Sequence, residues 1–114
     1  MVDHVTYDKR WKPTPVSGAI DGVSGTITAT AGRTLLIVGE GSWGNVLTAQ
    51  TVSLSYDGVI LETQPVASVL GLGLRIPFSL TGRVTAVASA TAEVTSSGGT
   101  MYDVHITWIE HSDM

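Results

Sequence analysis

Residues 35–47 read LLIVGEGSWGNVL, and the reading of this stretch decides the fold. Residues 39–44 match G-x-G-x-x-G after an apolar, strand-like run, and an acidic residue, Glu62, stands eighteen positions beyond Gly44. By letters alone this is the dinucleotide-binding fingerprint. That fingerprint works by seating a pyrophosphate on the N-terminus of a helix that opens at its last glycine. The sequence after Gly44 is NVLTAQTVSLSYDGVILE, in which only residues 45–50 could be helical. From Thr51 onward, Val52, Leu54 and Tyr56 alternate with Thr51, Ser53 and Ser55, the period of a strand. Asp57-Gly58 between apolar runs then predicts a tight hairpin. A hairpin joins antiparallel strands, whereas the fingerprint needs a parallel crossover. The stretch therefore predicts a β-protein and no nucleotide site. Its glycines are expected to form a flexible loop around an exposed Trp43.

Composition narrows the function classes. The chain has 114 residues, one domain by length, and no cysteine, which excludes a disulfide framework and thiolate metal sites. Charged residues are 14%, against about a quarter in ordinary soluble domains. Sparse charge suggests that partners cover part of the surface. Net charge is −4, and of the six basic residues only Lys9, Arg10 and Lys12 cluster, beside Asp3 and Asp8. No basic face for phosphates results, so no nucleic-acid partner is expected. The most apolar stretch, residues 66–74, is far shorter than the roughly twenty residues of a spanning helix. The N-terminus carries no signal-peptide core, and no membrane association is expected.

Along the chain, residues 1–18 stand apart as an N-terminal arm, with Tyr7, Trp11, a mixed charge cluster and then PTPVSG. Pro13 and Pro15 favour extended backbone; the segment reads either as an attachment arm or as a frayed end. Residues 19–114 read as one β-sandwich domain. GTITATAG alternates, RTLLIV is a wholly apolar run expected at the centre of a sheet, and residues 51–56 and 59–62 flank the hairpin. LRIPFSL is a strand that Pro77 places at an edge or bulge. Residues 84–94 read as one strand with Val84, Ala86, Ala88, Ala90, Ala92 and Val94 on a single side. Such an alanine face suits either a subunit interface or a tight contact within the chain. In the last strand Met101, Asp103, His105, Thr107 and Ile109 face away from Tyr102, Val104, Ile106 and Trp108. Seven or eight short strands with glycine-rich turns mean an all-β, compact antiparallel sandwich or barrel. Leu36, Val38, Leu54, Ile76, Phe78, Ile106 and Trp108 are the expected core.

Catalytic chemistry finds little support. His105 and His111 lie on one strand about 20 Å apart, so they cannot share a metal, and no G-x-S-x-G elbow is present. No catalytic residue, metal or cofactor is expected. Two binding candidates remain. Trp43, flanked by Glu40 and Asn45, could stack on a sugar whose hydroxyls those polar groups bond; it could anchor a protein partner, or fold back as a lid. In the arm, Tyr7 and Trp11 are amphipathic anchors, and Lys9, Arg10 and Lys12 would complement an acidic partner.

The order TATAGRTLLIVGEGSW, VSLSYDGVIL, LRIPFSLTGRVTAVASA and YDVHITWIEH resembles small jelly-roll proteins of tailed-phage virions. These are capsid decoration (cement) proteins and fibre tips, similar in shape to trimeric tumour-necrosis-factor-like heads. The matching residues are Gly32 with 35–38, then 52–58 and 104–109. The resemblance implies a jelly-roll-like sandwich and a non-enzymatic structural protein of a bacteriophage virion. It also implies a homotrimer attached to a capsid or tail protein. The alternative is a carbohydrate-binding, lectin-like module that takes a glycan at Glu40, Trp43 and Asn45.

Overall fold

A computed structural model describes residues 16–44, 50–66 and 75–111, and among them every regular element is a strand. The elements are β1 (Ser17–Asp21), β2 (Ser24–Thr28), β3 (Thr34–Gly44), β4 (Gln50–Tyr56), β5 (Val59–Val66), β6 (Arg75–Thr85), β7 (Ser89–Ser96) and β8 (Thr100–Glu110). They form two four-stranded sheets, ordered β1-β8-β3-β6 and β2-β7-β4-β5, with every pairing antiparallel. Only β4 and β5 are sequential neighbours in one sheet; the other connections cross between sheets. This is the eight-stranded jelly roll. Ser17 and Gly18, assigned to the arm from sequence, already pair with Ile109 and Trp108 of β8.

The core lies between the sheets. Leu35, Ile37, Phe78, Leu80, Val104 and Ile106 of the first sheet meet Ile27, Val52, Leu54, Tyr56, Ala90, Ala92 and Val94 of the second. Strand period two puts these residues on one face each. Ala90 and Ala92 of β7 are buried in this core, so that part of the alanine face is used within the chain, whereas Ala88 is exposed. The run 84–94, expected as one strand, is broken between β6 and β7 at residues 86–88. The break is held by Gly32 N–H donating to the Ala86 carbonyl (2.8 Å), Ala86 N–H to that of Arg33 (2.7 Å), and Val87 N–H to the Tyr56 hydroxyl (3.0 Å).

The β4–β5 hairpin forms where Asp57-Gly58 predicts it. Tyr56 pairs with Val59, and Asp57 (φ 52°) and Gly58 (φ 82°) both take the left-handed conformation a two-residue turn requires. Gly39 serves a different end. A Cβ there would stand 2.9 Å from Val94 Cγ2, so the glycine lets the two sheets approach.

Two expectations are corrected. Residues 39–44 are not a loop: they continue β3, paired on both sides by β6 and β8. The inward face of β3 is also the opposite of the one expected: Leu35 and Ile37 are buried, while Leu36 and Val38 face outward and are half-buried. All four residues are apolar, so alternation gave no direction, and a shift of one residue inverts the face. Of the other expected core residues, Leu54, Phe78 and Ile106 are buried, and Ile76 and Trp108 pack partly buried at the core's margin.

Candidate functional site: the outer face of the β1-β8-β3-β6 sheet

Register sets out this face in three rows. Ser17, Ile109, Leu36 and Arg83 lie side by side across β1, β8, β3 and β6; next come Ala19, Thr107, Val38 and Thr81; then Asp21, His105, Glu40 and Ser79. The first two rows are dominated by aliphatic groups and threonine methyls. Ser17, Ala19, Leu36, Val38, Thr107 and Ile109 line an open depression of about 460 Å³. Ile109 leaves 47% of its surface in solvent, and Leu36 and Val38 are half-buried. Scattered apolar residues on a surface are ordinary, but contiguous apolar area with a polar border marks an interaction surface.

The third row supplies the border. His105 Nε2 lies 3.3 Å from Glu40 Oε1, and both side chains are about half exposed. Beyond it, a register shift in the β3–β8 pairing between Glu40 and Ser42 coincides with Asp103 at φ +54°, a conformation few non-glycine residues adopt. The guanidinium of Arg75 sits 3.8 Å from the centre of the Tyr102 ring and 3.5 Å from the Asp103 carboxylate. This cation–π and ionic cluster ties the start of β6 to β8 on the rim, where solvent screens its contribution.

One carboxylate lies away from this surface. Glu110, 2% exposed, accepts the Thr30 N–H at 2.5 Å and so ties the β2–β3 connection to the end of β8. That hydrogen bond holds its carboxyl below the ordinary carboxylate range; burial opposes the shift, and Arg33 adds to it. The arrangement is structural: the group is satisfied and turned inward.

Of the binding residues expected from sequence, Glu40 and Trp43 lie among the described residues, and they point to opposite faces of β3. Trp43 is fully buried, its ring edge-on to Phe78 with centroids 5.7 Å apart. An indole so placed can neither stack on a sugar nor anchor a partner. Two residues earlier, a Cβ at Gly41 would crowd Phe78 and Val104 at 3.0 Å each. Glu40 projects on the opposite face, against His105. Asn45, Tyr7, Lys9, Arg10 and Trp11 lie outside the described residues. Among the described residues no group of three or more His, Cys, Asp or Glu side chains is placed to hold a metal. The outer apolar face was missed from sequence, although RTLLIV contained its signal. A strand apolar on both sides was taken as covered on both sides.

No family model matches the chain, and no curated protein matches it in sequence. Among solved structures, the C-terminal domain of EclA, a sugar-binding protein, is similar with a TM-score of 0.47 and 18% identity, over 84% of this chain and 76% of that one.

Proposed function

We propose that this chain acts by binding, as a non-enzymatic structural jelly-roll protein of a bacteriophage virion, in the manner of capsid decoration or fibre-tip proteins. The observation that carries the reading is the contiguous apolar outer face formed by Leu36, Val38, Ile109 and Ala19 with its polar border. Left in water, such a face costs free energy in proportion to its apolar area, about 25 cal/mol per Å². Covering it on assembly recovers that energy. The sparse charge of the chain and the aromatic and basic residues at 7–11 favour the same reading, with the arm as the attachment to a capsid or tail protein.

The carbohydrate-binding alternative loses its proposed stacking platform with the burial of Trp43. The test is co-sedimentation of the intact chain with assembled capsids or tails of the phage whose structural genes neighbour it. A chain lacking residues 1–15 serves as comparison. Pelleting of the intact chain, reduced by the deletion, supports the reading. An intact chain that stays in the supernatant overturns it.

A further inference from the structure

We infer that the outer face of the β1-β8-β3-β6 sheet closes on the same face of a second copy of this chain, about a two-fold axis running parallel to the strands between β8 and β3. The inference gives the apolar face of the proposed function a particular occupant, and it rests on that reading only in taking the face to be a binding surface.

The pattern of rows selects both the occupant and the axis. Face-to-face contact between identical sheets allows two simple two-fold axes in the plane of contact. An axis across the strands exchanges the first row with the third. It would press Leu36 against Glu40 and Ile109 against His105, burying charge on aliphatic carbon. An axis along the strands keeps each row opposite itself and exchanges β8 with β3 and β1 with β6. Ile109 then meets Leu36 of the second copy, and Thr107 meets Val38. Glu40 meets His105 of the second copy, and this repeats by symmetry. At the edges Arg83 faces Ser17, and Asp21 faces Ser79. No like charges oppose each other, and every acidic or basic group meets an opposite charge or a hydroxyl. The same axis keeps strand directions aligned between the two copies, the commoner way sheets stack.

The contact has a definite scale. Four strands about 4.8 Å apart and three rows about 6.8 Å apart give this face roughly 400 Å² per copy. The total of roughly 800 Å² falls in the range of weak, transient interfaces. A dimer that dissociates on dilution, with a dissociation constant of about micromolar order, is therefore expected.

The test uses the full chain, which has no cysteine of its own. Light scattering should give the mass of two chains at about 100 µM and a fall towards one chain near 1 µM. Leu36→Glu should remain monomeric at the higher concentration with an unchanged strand spectrum. Oxidative cross-linking then reads the axis without depending on that variant. An equimolar mixture of Leu36→Cys and Ile109→Cys chains should yield the mixed disulfide dimer. A mixture of Leu36→Cys and Glu40→Cys should yield several-fold less. A monomeric or three-chain mass at 100 µM, or equal cross-linking in both mixtures, overturns the inference. A monomer that still co-sediments with capsids or tails leaves the proposed function standing; a dimer that does not co-sediment leaves only the inference.

Discussion

Trp43 is the residue at which a binding role and a core role give opposite outcomes. Its side chain is fully enclosed, edge-on to Phe78, with its indole N–H buried and without a hydrogen-bond partner. A buried indole withdraws about 200 Å² from water, which at about 25 cal/mol per Å² amounts to about 5 kcal/mol. Truncation to alanine retains a methyl group and lets the surroundings relax in part, so Trp43→Ala should cost about 3–5 kcal/mol. A domain of this size has about 5–15 kcal/mol in total. The variant should thus lie near the edge of folding. Trp43→Phe separates shape from polarity. It loses part of the ring, but it also removes an unsatisfied N–H, which carries a penalty of about 1–3 kcal/mol. The two terms offset, and the net loss should be about 1 kcal/mol. Urea unfolding followed by far-ultraviolet circular dichroism is the appropriate assay, because Trp11 and Trp108 complicate fluorescence. With a slope of about 1–3 kcal/mol per molar urea, Trp43→Ala should lower the midpoint by about 2 M and Trp43→Phe by under 1 M. An alanine variant with an unchanged midpoint would refute the core assignment and return Trp43 to the surface as a candidate binding residue.

Ile106→Ala, at the centre of β8 and fully buried, should cost about 2–5 kcal/mol, whereas alanine at the exposed hairpin residue Ile60 should change the melting temperature little. Gly39→Ala places a methyl 2.9 Å from Val94 and should destabilise by about 1–3 kcal/mol, with Val94→Ala in the same chain restoring part of the loss; strict additivity of the two would sink the close-approach argument. Glu110 has its pKa lowered in the folded state by the Thr30 hydrogen bond, so its stabilisation is fully present above the unfolded-state pKa and fades as pH falls through the lowered folded one. Glu110→Gln should therefore flatten the acid limb of the stability–pH curve and leave its neutral-to-basic shape unchanged; an acid limb identical to that of the parent would count against the assignment.

The strands were legible in the sequence because strand signals are local. Alternation in residues 51–56 and the Asp57-Gly58 turn depend on neighbours two or three residues apart, and both appear in the structure as β4 and its hairpin. From Asp103 to Ile109 the two faces of β8 were separable for the same reason, since polar Asp103, His105 and Thr107 mark the outward side; before the register shift Met101 packs on the core and Tyr102 carries Arg75 on the other side, the reverse of the expected faces. The faces of β3 were not. Leu35, Leu36, Ile37 and Val38 are equally apolar, and the choice between them is made by which residues of β6 and β8 lie alongside and which sheet lies beneath. Sequence also could not show that Gly39 and Gly41 are strand residues, because their reason for being glycine is the approach of Val94, Phe78 and Val104 from elsewhere in the chain. The burial of Trp43 against Phe78, which comes from β6, was equally beyond local pattern. Local chemistry thus determined where the chain extends and turns. Packing between the sheets, a property of residues up to eighty positions apart such as Thr30 and Glu110, decided which side of each strand is core and which side remains free to bind.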